Sequence, residues 1–287
     1  MMSHLSSVVK RRPLLTFFVL TYALSWLAWP LWASGLYPIA PVFSFAPFLA
    51  ALVVLAITQG KGGVGGLLRR MVRWRVGIRW YAVALLVPAG ITVAAVVLNV
   101  LLGARAPSAA DLGGWTNLLP GFAVALLIPG LGGAWEEPGW RGFALPRLQC
   151  GRSALLAALI LGVLVAGWHL PLMVVGDVHW SDIMTIMGAV IVFNWVFNNA
   201  NGSVLIIMIM HATNNAVSGQ FFFPMFSGAD SARQGWLLAA LWCAVAIVVV
   251  VVAGPAHLSR KHKKQEEGGA AEPGVAAPPG TTKPIPA

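Results

Sequence analysis

Charged residues are almost absent from eight long stretches of this 287-residue sequence, and that absence decides which solvent the chain is built for. The stretches lie at about 14–34, 40–59, 80–103, 117–137, 153–175, 182–200, 203–223 and 236–255. Each approaches the roughly 20 residues that an α-helix needs to cross the hydrocarbon core of a bilayer. Composition agrees, with 58% hydrophobic and 10% charged side chains, where soluble domains carry about a quarter charged. The expected fold class is all-α, a polytopic transmembrane helical bundle of about eight spans, and the expected location is the cell membrane, multi-pass. Disordered, collagen-like, coiled-coil and small disulfide-stapled folds are excluded. Cys150 and Cys243 are far apart and form no CxxC or Cys/His cluster.

The basic residues sort onto one side of such a bundle. Lys10, Arg11 and Arg12, then Lys61, Arg69, Arg70, Arg73, Arg75 and Arg79, then Arg141, Arg147 and Arg152, then Arg260, Lys261, Lys263, Lys264 and Lys283 make 17 of the 19. Only Arg105 and Arg233 fall opposite, with Asp111, Asp177, Asp182 and Asp230. An even span count and the positive-inside rule place both termini in the cytoplasm. The net charge of +10 is thus a membrane signature, and no nucleic-acid partner is expected. The basic, aromatic segment RRMVRWRVGIRW reads as an interfacial loop with Trp74 and Trp80 at headgroup depth. Residues 1–13 form a cytoplasmic tail, 14–255 the transmembrane domain, and 256–287 a basic and then disordered cytoplasmic tail.

Ionisable groups inside apolar runs are expensive and therefore informative. Glu136 and Glu137 close the fourth run, His169 lies in the fifth and His211 in the seventh. Glu137 and Arg141, four residues apart, share a helical face and can pair. That leaves Glu136 as the chemical residue, since two adjacent carboxylates cannot both stay ionised cheaply in a low dielectric. About 16 residues separate Glu136 from a turn at Cys150 to Ser153, and about 16 separate that turn from His169, so a helical hairpin brings both to one depth. His211 and Asn215 are one turn apart and can offer two donors to one oxyanion. Asn214 is turned about 100° away and reads as a packing contact. Asn194, Asn198 and Asn201 form a polar stripe that lines a cavity or glues helices.

Glu136-Glu137-x-x-x-Arg141, His169 and His211-x-x-x-Asn215 in a polytopic chain together resemble the CPBP family: type II CAAX prenyl endopeptidases and bacteriocin-processing or bacteriocin-immunity proteins. The similarity covers about residues 115–220. One departure is Val165, where the family's second motif has Phe four residues before the histidine. The resemblance implies a membrane-embedded endopeptidase, formally classed as a metalloprotease, acting on a peptide or lipidated protein near the cytoplasmic face. Glu136 and His169 would activate water, His211 and Asn215 would stabilise the oxyanion, and Glu137 and Arg141 would support the site. Glu136, His169 and His211 can also be read as three ligands of a divalent metal such as zinc, and metal-assisted and metal-free water activation both stay open. A non-catalytic immunity or scaffold protein, or a proton-coupled transporter, are the alternatives; the intact motif set and the lack of an internal repeat count against them. Reporter fusions after Gly60 and after Lys264 should both report cytoplasm, and an external signal from either would overturn the even span count.

Overall fold

The structure, a computed structural model, describes residues 2–36 and 40–259. All regular elements among them are helical, as the apolar runs require, and no strand occurs. The basic helix α1 (Met2–Arg11) leads into α2 (Pro13–Trp26), which Pro13 opens from the first-turn position where its missing N–H costs nothing. The short α3 (Ala28–Ala33) continues it. Next come α4 (Ala46–Met71), α5 (Ile78–Leu101) and, at the far end of the chain, α11 (Gly228–Ala253). Together with Pro13–Ala33, these are the four helices among the described residues that are long and apolar enough to cross a bilayer.

Of the other four apolar runs, three fold into interrupted helices and one into a single helix. In the fourth run, α6 (Leu118–Leu127) stops well short of the glutamates. The fifth breaks at His169 into α7 (Ala154–Trp168) and α8 (Leu170–Val175), because Pro171 withholds a backbone donor. The sixth is α9 (Asp182–Asn199), and the seventh runs from α10 (Val204–Asn214) into a π-helix over Asn215–Phe222. Non-helical backbone at membrane depth is tolerated only where protein buries it or a cavity solvates it.

Two expectations about the basic segment change. Helix α4 continues past a kink at Gly60 (φ 61°) to Met71, so only residues 72–77 form the loop. Trp74 is exposed as expected, but Trp80 is buried and packs edge-on against Trp195 at 5.2 Å. At the C-terminal end, residues 256–259 are part of the bundle instead of a tail. Leu155 and Ala154 donate their backbone N–H groups to the carbonyls of Pro255 and Ala256, which satisfies donors that the first turn of α7 leaves open. Asn198 and Asn199 donate to the carbonyls of His257 and Leu258, and Leu258 is fully buried. The remaining tail, 260–287, lies outside the described residues. Asn201 falls in the turn beyond α9, so the polar stripe read as Asn194, Asn198 and Asn201 ends at Asn198.

Helices α9 and α11 approach so closely that a Cβ on Gly188 would lie 2.7–2.9 Å from the backbone of Trp242 and Cys243. Backbone atoms cannot yield as a flexible side chain can. Gly188→Ala should therefore lower stability by about 1–3 kcal/mol, read as a drop in the midpoint of thermal unfolding in detergent; an unchanged midpoint would contradict the close contact.

Candidate active site

The segment that carries both glutamates is unwound by its own glycines. After α6 ends, Gly130 takes a left-handed turn (φ 89°), and Gly132 lies 2.7 Å (from an added Cβ) from the backbone of Ala125. The chain then re-enters as a 3₁₀ turn (Gly133–Glu136), one α-helical turn (Glu137–Gly139), a π-helical stretch (Trp140–Ala144) and a last turn (Leu145–Leu148). A Cβ at Gly139 would come 2.5 Å from the Pro47 backbone, so this segment is pressed against α4. The expected continuous fourth helix ending in Glu-Glu is thus replaced by a broken one, and the glutamates face inward from a separate segment.

Glu137 is completely buried and its charge is met from two sides. Arg141 Nη1 donates to both carboxylate oxygens at 2.9 and 3.0 Å, and His211 Nδ1 lies 2.7 Å from Oε1. Arg141 is itself held by Asn194, whose Oδ1 accepts from Nε at 3.2 Å, and its guanidinium lies 5.1 Å above the Phe193 ring. The i, i+4 pairing read from spacing is present. His211 also lies directly on Gly133, where an added Cβ would overlap its Nε2. That glycine is a positioning residue the spacing of titratable groups does not reveal.

Glu136 is buried at 4% exposure, and its Oε2 accepts from Trp140 Nε1 at 3.2 Å. Trp140 packs edge-on against Trp168 at 6.0 Å, and Trp168 in turn meets the His169 ring at 4.7 Å. The Trp168 indole is fixed by a 2.6 Å hydrogen bond to Ser25 Oγ on α2. One aromatic wall therefore supports both residues assigned to water activation. His169 places Nδ1 2.8 Å from the carbonyl oxygen of Val165. A carbonyl can only accept, so Nδ1 carries the proton and Nε2 presents its lone pair.

Glu136, Glu137, Arg141, His169, His211 and Asn215 all line one cavity of about 430 Å³. Val165, the departure from the family motif, lines it too, as does Asn214. Asn214 was expected to turn away as a packing contact. The change from α- to π-helix immediately after it widens the turn and lets both asparagines face the cavity. Asn194 lies beneath as the partner of Arg141. Sequence reasoning missed Trp140, whose position four residues after Glu136 on the same face was the available signal. It also missed Trp168, the immediate neighbour of His169.

Among the described residues, no group of three or more His, Cys, Asp or Glu side chains is arranged to hold a metal ion. Glu136, His169 and His211, the three residues read as candidate ligands, border the same cavity.

Comparison with known proteins converges on the same segment. The family described as type II CAAX prenyl endopeptidase Rce1-like matches residues 115–217, so this part of the chain is similar to that family. A relative called CAAX prenyl protease 2, from Methanococcus maripaludis, is 23% identical over 215 residues, covering 69% of this chain and 79% of its own. The matched segment begins before α6 and ends within the π-helix, and so contains every residue of the glutamate–arginine–histidine network.

Arg141→Ala would leave Glu137 without its guanidinium partner, and loss of one member of a buried pair costs about 3–5 kcal/mol. Thermal unfolding in detergent should show that loss, with reduced yield; wild-type stability in the variant would mean that Glu137 is not charged or not buried as described.

Proposed function

We propose that this chain is an intramembrane endopeptidase that hydrolyses a peptide bond with water activated by Glu136 and His169. The carrying observation is that Glu136, His169, His211 and Asn215, drawn from three different interrupted runs, line one cavity above a closed Glu137–Arg141 pair. Glu136 takes a proton from water as the oxygen attacks the scissile carbonyl, and later returns that proton to the leaving amine. His169 Nε2 accepts a hydrogen bond from the same water and orients it. His211, in its imidazolium form with Glu137 balancing the charge, donates from Nε2 to the tetrahedral oxyanion, and Asn215 supplies the second donor. The surrounding bundle crosses the cell membrane eight times with both termini in the cytoplasm. The substrate is a peptide or protein segment at the membrane, and the name of the archaeal relative points to lipidated chains as a class to test.

Two substitutions separate chemistry from support. Glu136→Gln keeps shape and hydrogen-bonding capacity but removes the base, so it should abolish cleavage of a verified substrate with little change in thermal midpoint. Asn215→Ala should lower turnover by about a hundredfold to a thousandfold, as removal of one oxyanion donor does elsewhere, with substrate affinity little affected. Full turnover in Glu136→Gln would remove the water-activation role and favour a binding or scaffold protein.

A further inference from the structure

The two ends of the bundle differ in charge, and the cavity opens at only one of them. At one end lie Arg69, Arg70, Arg73, Arg75, Arg79, Arg147 and Arg152, on or beside the turns that follow α4, precede α7 and precede α10. These turns are joined to each other: Ser203 Oγ donates to the carbonyl of Arg73, and Arg73 donates to the carbonyl of Asn201. The chain after α11 is bonded to the start of α7 at the same end. At the opposite end, the basic residues are Arg105 and Arg233, each in an ion pair, with Asp111 at 2.9 Å and with Asp230 at 2.6 Å.

The cavity wall shows where its opening lies. Glu137, Arg141, Val190, Phe193 and Trp242 form its floor and are 0–5% exposed. Asp177, Gly219 and Gln220 also line it and are exposed. Asp177 belongs to the turn between α8 and α9, and His179 in that turn meets the Phe223 ring at 5.2 Å. Phe223 follows the π-helix and is close in sequence to Asp230 and Arg233. The opening is therefore at the ion-paired end. Toward the arginine-rich end the floor is closed by packed apolar groups: Gly142 lies against Leu67 and Val204, and Phe143, Leu145 and Ile207 are fully buried.

The positive-inside rule assigns the arginine-rich end to the cytoplasm. We infer that the cavity opens on the extracytoplasmic side, so that the substrate is a peptide segment that has been translocated or inserted and is taken from outside. This inference rests on the endopeptidase reading for what the cavity does, though not for which way it faces. It reverses the expectation of cleavage near the cytoplasmic face. That expectation came with the family resemblance, which carries no information on which end of this cavity is closed.

Single-cysteine variants of the full chain test the orientation without any assay of cleavage. Cys150 is exposed at the arginine-rich end, and serves as the internal reference in a Cys243→Ser background. Asp177→Cys at the opening, and Ser227→Cys on the exposed chain beside it, are each made with Cys150→Ser and Cys243→Ser. Intact cells treated with a membrane-impermeant maleimide should show labelling of Asp177→Cys and Ser227→Cys, with Cys150 reacting only after permeabilisation. Inside-out vesicles should give the reverse. Labelling of Asp177→Cys only after permeabilisation, or from the same side as Cys150, would overturn the inference. So would an Asp177→Cys variant that is inert from both sides while Ser227→Cys reacts from outside. Adding Glu136→Gln should leave every labelling pattern unchanged, so a failed catalytic assignment and a failed orientation are read separately.

Discussion

The arrangement depends on a carboxylate that has no contact with solvent. Glu137 is 0% exposed inside an apolar bundle, where an unpaired charge costs several kcal/mol even after the surroundings relax. Its two oxygens are met by Arg141 from its own segment and by His211 from α10. Arg141 is anchored in turn by Asn194 of α9. Satisfying this one group therefore fixes three elements relative to each other. The geometry also divides the adjacent carboxylates: Glu137 is held by two cationic or donor groups, while Glu136 has a neutral indole as its hydrogen-bond partner and borders the cavity. A strong structural demand at one position leaves its neighbour available for chemistry.

The cost of building such a site in lipid is visible in how the helices are distributed. The four long helices present large apolar surfaces, with Val19, Val97, Ile247 and Val251 among the exposed side chains. The breaks that surround the site occur in the runs that carry the polar residues. There the 3₁₀ turn at Gly133, the break at His169 and the π-helix from Asn215 lie beside the cavity. Concentrating the irregular backbone in one place confines its desolvation penalty to a region that a cavity can solvate. It also aims side chains from three different runs at one volume.

The sequence was informative where periodicity or spacing has a single physical reading. The apolar runs had to be helical, Glu137 and Arg141 at i, i+4 had to share a face, and His211 and Asn215 one turn apart both reach the cavity. It was less informative where local backbone departs from the α-helix. Nothing in LIPGLGGAWEE fixes where α6 stops, because Gly130 and Gly132 permit the unwinding but contacts with Ala125 and Phe45 require it. The same is true of Asn214, whose direction is set by a π-helix that periodicity does not encode. Tryptophans are ambiguous for a different reason: the same residue type serves headgroup anchors and buried walls. Trp74 and Trp80 read alike in sequence, yet one is exposed and the other packs on Trp195. Trp140 and Trp168 are buried wall residues whose N–H groups also bond Glu136 and Ser25.

The partners of Nδ1 distinguish two histidines that their spacing alone leaves equivalent. His169 meets the backbone carbonyl of Val165, a neutral acceptor that selects the tautomer with a basic Nε2. His211 meets a carboxylate, which can balance a ring protonated on both nitrogens. The first arrangement suits a group that receives a hydrogen bond from water, and the second suits one that donates to a developing oxyanion. Each histidine also has a rigid support matched to that direction. The Trp168 edge fixes the plane of His169, and the bare backbone of Gly133 lets His211 approach closer than any side chain would permit. The proposed division of roles rests on what each ring's Nδ1 touches, and on a glycine and a tryptophan as much as on the titratable groups.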